Sequence, residues 1–191
     1  GSFIRKLVCY PDSYVARDML RACSRTLDKP YALHRIGITM HVYADTWAHQ
    51  GFAGVNHVIN QVTELQSNNS SLDRNFLNKI ANYFLSESFP LGHGAALSHP
   101  DRPSLVWQYR NGLGEMVKRD NLKIFTDAVD KMCRALQCFR QQDQTMALES
   151  AAGIPAVDAK KIAALLKSIK GDTGEDRHQR WIEEIAKGSF S

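Results

Sequence analysis

The sequence predicts an all-α fold, and three observations predict it. Apolar residues recur at three- and four-residue spacing through most of the chain. No segment longer than four residues alternates in the manner of a strand. Clusters of Pro, Gly, Asn and Asp fall between the periodic segments. With 191 residues and 43% hydrophobic content, the chain is long enough for one sizeable domain with its own core.

The first helix is expected over 13–27, where Val15, Met19, Leu20, Cys23 and Leu27 share a broad face and Asp12 or Ser13 stands at the cap. Asp28-Lys29-Pro30 ends it. Residues 31–50 form the second helix, with Ile36, Met40, Tyr43, Ala44 and Trp47 on its apolar side. Gly51 and Gly54 loosen the chain, and helix is expected to resume over 55–65. After the polar break SNNSSLDR, a helix over 72–84 repeats Leu72, Phe76, Ile80 and Phe84. The stretch 89–103, FPLGHGAALSHPDRP, holds three prolines, two glycines and two histidines and is a loop by composition. Ser104 starts another helix. Residues 122–139 are strongly periodic and carry Cys133 and Cys138 as buried thiols; the chain has four cysteines and no CxxC pair, so it is no disulfide scaffold. Helices over 158–169 and 175–186 follow, the last with Trp181, Ile182 and Ile185 inward. The expected division is a helical metal-binding domain over 3–150 and a small helical extension over 151–191.

The formal charge of +4 suits an anionic substrate without requiring nucleic acid, since no basic run is interleaved with aromatics. No stretch reaches membrane-spanning length, and no signal peptide is visible. Gly1-Ser2 reads as a tag remnant, and a start inside FIRK reads as that of a fragment, whose partners would include other domains of a longer parent.

The chemistry concentrates on the second helix. His34, His41, Asp45 and His49 spread over about 80° of the wheel at about 100° per residue. The last three are four apart, and positions i and i+4 stack on a helix. Imidazole and carboxylate are zinc ligands. The ridge is about 22 Å long at about 1.5 Å per residue, too long for one ion, so one or two zinc ions are expected; iron, nickel or manganese would accept the same donors. Asp45, between two histidines, could bridge two metals.

The loop at 89–103 supplies the remainder. His93 sits between glycines, which let backbone approach a site closely, and His99-Pro100-Asp101 follows. Metal ligands are thus expected at His34, His41, Asp45, His49, His93 and His99. A bound metal would acidify water and polarise the scissile group. Asp101 or Asp45 would take the water's proton, and Arg102 or Arg35 would steady an anionic transition state. His57 and His178 read as structural and solvent-facing. The function expected is a metal-dependent hydrolase acting on a phosphoester of a phospholipid, nucleotide or nucleic acid. The other class is a metal-stabilised helical binding module of a larger secreted or toxin-like protein. A third reading is a His/Asp network without metal.

LHRIGITMHVYADTWAHQGFAG and GHGAALSHPDRPSLVWQY, together spanning Leu33 to Tyr109, resemble a bacterial domain-of-unknown-function family, DUF6765. The resemblance implies a shared site and no particular reaction. More distantly, His41 and Asp45 resemble the His and Asp, four apart on a helix, of the helical zinc-dependent phospholipases C and single-strand nucleases. That likeness implies a bundle-like helical core with a long metal-site loop, with His41 and Asp45 bonded directly to the metal. The next His in those enzymes comes at a longer spacing than His49 does here, and no Trp stands near the start of this chain to match their N-terminal ligand.

Overall fold

The structure, a computed structural model, describes residues 2–83, 91–171 and 173–188. Its elements run α1 (Phe3–Leu7), α2 (Tyr14–Ser24), α3 (Ala32–Ala48), β1 (Val62–Ser67), α4 (Ser70–Tyr83), β2 (Val106–Asn111), β3 (Met116–Asp120), α5 (Asn121–Arg140), α6 (Ala156–Ser168) and α7 (Gly174–Ala186). The all-α expectation is therefore wrong: helices are joined by a three-stranded antiparallel sheet of order β1-β2-β3. Two helices expected from periodicity, at 55–65 and from Ser104, are replaced by a short turn with β1 and by the β2–β3 hairpin. Phe84, Phe89 and Pro90, read as a helix end and the start of the loop, lie outside the described residues. No described helix is long and apolar enough to cross a membrane.

The physical reason for the missed strands differs between them. In β1, the pairing with β2 slips between Thr63 and Gln66, and Glu64 takes a positive φ of 51°. This bulge turns both Val62 and Leu65 inward, three residues apart, so a strand imitates helical spacing. In β2, Trp107 and Tyr109 are buried while Gln108 and Arg110 face outward. That alternation is regular but too short to stand out against Val106 and Asn111 at its ends.

The other expected helices form as α2 to α7, with somewhat different bounds, and α1 was not expected. Ser13 caps α2 by accepting from the Ala16 amide at 3.3 Å, whereas Asp12 bonds the Tyr43 hydroxyl at 2.6 Å and Arg17. Ile36, Met40, Tyr43 and Trp47 of α3 enter a core shared with Leu20 and Cys23 of α2, Ala135 and Cys138 of α5, and Leu148. Val15, read as part of the buried face, is 80% exposed. A second core gathers Phe52, Val62, Leu65, Phe76, Trp107 and Tyr109 between the sheet, α4 and the loop at 91–105. Helix α7 has a capping box at Thr173 but buries no residue, so Ile182 and Ile185 point to solvent rather than inward.

The hairpin turn abuts the segment before β1. A Cβ added at Gly112 would collide with the Val58 carbonyl, so only glycine fits there without displacing backbone. Gly112→Ala is expected to cost about 1–3 kcal/mol of stability, as overpacking does, read as a lower urea midpoint. An unchanged midpoint would contradict this packing.

Candidate metal centre

The helix ridge becomes steadily more buried towards its C-terminus. The His41 side chain is 78% exposed, that of Asp45 43% and that of His49 26%. His49 is the C-cap of α3, where the helix runs into the seam between the two cores. Just beyond it, Gly51 turns the chain with a φ of 90°, which a side chain would strain. The Gly51 amide then donates to the Cys9 carbonyl, and the Cys9 amide to that of Phe52.

The loop arrives at the same seam. His93 precedes a single 3-10 turn, Gly94–Ala96, and Asp101 follows Pro100. The His49 and His93 rings stack at 4.0 Å with planes 13° apart. His49 Nε2 lies 3.3 Å from an Asp101 carboxylate oxygen. One potential ligand atom from each of His49, His93 and Asp101 lies within 4.8 Å of the others. Among the described residues no other trio of His, Cys, Asp or Glu meets that condition. Two ligands about 2.0–2.1 Å from a tetrahedral zinc stand about 3.3 Å apart, which is the His49–Asp101 separation. His93 Nδ1 and His99 Nε2 are both buried with no hydrogen-bond partner, but only His93 has its ring beside a second imidazole and a carboxylate.

Not every expected ligand joins this group. His41 Nε2 is 3.7 Å from the Asp45 carboxylate but stays at the surface. Asp45 lies close enough for its charge to act on His93 and on the Cys9 thiol. His34 lines a shallow groove with Met19, Tyr31 and Ile38. His99 is a core residue: it is 1% exposed, its Nδ1 is 2.9 Å from the Ala96 carbonyl, and its ring packs against Phe76 and Trp107. Its Nε2 faces Asp73 at 3.6 Å. Arg102 donates to Ser98 and to the Gly171 carbonyl, tying the loop to the segment after α6. Arg35 reaches Thr26.

Two buried side chains beneath the site escaped sequence reading. Arg119 of β3 donates to three carbonyls at the end of α3. Asn121, the first residue of α5, donates to carbonyls around Asp101. The available signal was an arginine and an asparagine two apart, on the inward side of a strand opposite Trp107; it is visible only once that strand is recognised.

Burial, reinforced by the neighbouring His49, pushes the His93 pKa below its ordinary 6.5. Burial likewise lowers that of His99 from 6.5, against opposing bonds to Ala96 and Asp73. Both rings are therefore neutral in the fold at neutral pH, the form a metal binds. Between the folded and unfolded values the unfolded chain holds more protons, so stability there rises with pH. The stabilisation is complete above about pH 6.5 and disappears as pH falls through the folded values. Chelator-treated protein should thus show a lower Tm at about pH 5 than at about pH 7.5, with a smaller drop in His93→Gln. A Tm that rises on acidification, or an unchanged drop in the variant, would contradict the burial described.

A family model, described as a family of unknown function (DUF6765), matches residues 1–191. No curated protein and no solved structure matches the chain. The likeness to the phospholipases C and single-strand nucleases, and a bacterial origin, thus receive no support, and the sheet sets this fold apart from an all-helical bundle. With the match covering every residue, the chain belongs to the DUF6765 family.

Proposed function

We propose that this chain is a metal-dependent hydrolase whose ion is held by His49, His93 and Asp101, with a phosphoester as substrate. The observation that carries the reading is the convergence of these three side chains from two separate elements, with donor atoms within 4.8 Å of one another. The donor set is that of zinc, and other divalent transition metals share it.

A structural zinc site is closed by four protein ligands, while a catalytic one keeps a position for water. Three protein ligands, one of them a carboxylate side chain 42% exposed, favour the open kind over a metal-stabilised binding module. The ion would acidify its water and polarise the phosphoryl oxygen. Asp45, one helical turn before His49, would be the carboxylate placed to accept a proton from the attacking water. The formal charge of +4 is in keeping with an anionic substrate. Arg102 is engaged with Ser98 and Gly171 and is assigned to holding the loop rather than the transition state. His41, exposed beside Asp45, stays outside the centre.

Elemental analysis should find about one divalent transition metal per chain, lost in His49→Ala and Asp101→Ala while the helical circular dichroism persists. Phosphodiester, phosphomonoester and carboxylic ester substrates should then be compared with and without chelator. Phosphoester hydrolysis that vanishes on chelation and in both variants is the expected result. Wild-type protein free of metal would sink the centre; bound metal with no turnover of any ester would favour the binding module.

A further inference from the structure

The two main-chain stretches that carry His49 and Asp101 are both places where the chain changes direction. One is the end of α3, the other a run of turns. Each is reached by a buried side chain that bonds several of its carbonyls. Arg119, 4% exposed, donates from Nη1 to the Gln50 carbonyl at 2.8 Å. From Nη2 it reaches the Trp47 carbonyl at 3.1 Å and that of Ala48 at 2.8 Å. Asn121, fully buried, donates from Nδ2 to the carbonyls of His99 at 2.7 Å, Arg102 at 2.9 Å and Pro100 at 3.4 Å. The bound carbonyls therefore flank His49 on both sides and Asp101 on both sides.

The two holding residues are themselves joined. They stand two apart, which on extended chain puts them on one face. Arg119 pairs with Trp107 in the β2–β3 register, and the Asn121 amide continues that pairing by donating to Leu105 at 3.0 Å. The Arg119 guanidinium lies 5.4 Å from the Trp107 ring centre, and Asn121 Oδ1 accepts the Trp107 indole N–H at 2.9 Å.

We propose that Arg119 and Asn121 are positioning residues for the metal centre, acting as one clamp about Trp107 that fixes His49 and Asp101 relative to each other. This deepens the metal-centre reading and rests on it. Capping a helix end needs no guanidinium, since a glycine turn or water serves, and burying a charged group is costly. The return on that cost is a rigid link between two ligand-bearing segments. Ligand sets need placement to within about 0.5 Å, and a link between the two segments is what fixes one ligand relative to the other.

Two conservative variants test the clamp. Asn121→Asp keeps the side-chain shape and the acceptor for Trp107 but removes the donor. Arg119→Lys keeps the charge but not the planar fork. Co(II) is the probe, because its visible bands report coordination geometry. Both variants should retain the helical circular dichroism, bind Co(II) about 10–100-fold more weakly, as loss of outer supports does, and show altered bands. In metal-free protein, the His49 and His93 ring-proton resonances should move away from their stacked positions. Folded variants with unchanged affinity, bands and resonances would overturn the proposal. Should Asn121→Asp fail to fold, Arg119→Lys and Asn121→Ser decide by the same measurements. If wild-type protein binds no Co(II), the metal-centre reading fails by itself. The metal-free resonances then still decide the clamp: moved signals support it and unmoved ones overturn it.

Discussion

A helix that ends in the interior leaves its last carbonyls without intrahelical partners, and something must satisfy them. At the end of α3 the partner comes from another element: the Arg119 guanidinium, threaded from the sheet. The rest of the molecule is arranged around this contact. It joins the helical core of Met40, Tyr43 and Trp47 to the sheet core of Phe52, Trp107 and Tyr109. A cation at a helix C-terminus also meets the negative end of the helix dipole. The stack continues from Trp107 through Tyr109 and Phe52, which meets the His93 ring edge-on. The floor of the candidate site is thus a packed aromatic layer, dry enough that burial pushes the Tyr109 hydroxyl up to about 12.

Polar groups elsewhere show what purely structural pairing looks like in the same fold. Although burial alone would raise it, hydrogen bonds from Arg17 and Tyr43 hold the Asp12 carboxyl below the usual carboxylate range. Arg17 bonds both oxygens and Lys131 approaches at 3.5 Å, so the carboxylate is fully engaged. Asp73 similarly caps a turn through the Ser67 amide and hydroxyl. The centre at His49 lacks this closure. One imidazole nitrogen has no partner, and two rings lie face to face beside a carboxylate that is half in solvent.

Much of the helical framework was legible because it depends on local patterning. The buried face of α3 follows from Ile36, Met40, Tyr43 and Trp47, and α5 from its periodic run. The sheet was not legible, since a bulge gave β1 a three-residue hydrophobic spacing and β2 is brief. Missing the sheet hid Arg119 and Asn121, whose meaning depends on a register across strands. Of the site, the sequence identified His49, His93 and Asp101 as chemistry-bearing. It could not tell them from His34, His41 and His99, which have equal claims by residue type.

That last ambiguity has a geometric origin. A ridge on a helix wheel states which side a residue faces and is silent about how far along the axis the neighbouring element crosses. His41 and His49 lie on the same broad face, about 80° apart around the axis, and differ by about two turns, or about 12 Å, along it. Only the later of the two lies where the loop crosses, because Gly51 and the clamp at Arg119 fix the chain's exit from α3 there. The same logic separates His93 from His99. Six residues apart, one is exposed to the seam and the other is drawn inward by Phe76, Trp107 and the Ala96 carbonyl. Which of these side chains meet is therefore a property of where two segments cross, and the crossing is set by buried donors that carry no ligand chemistry themselves.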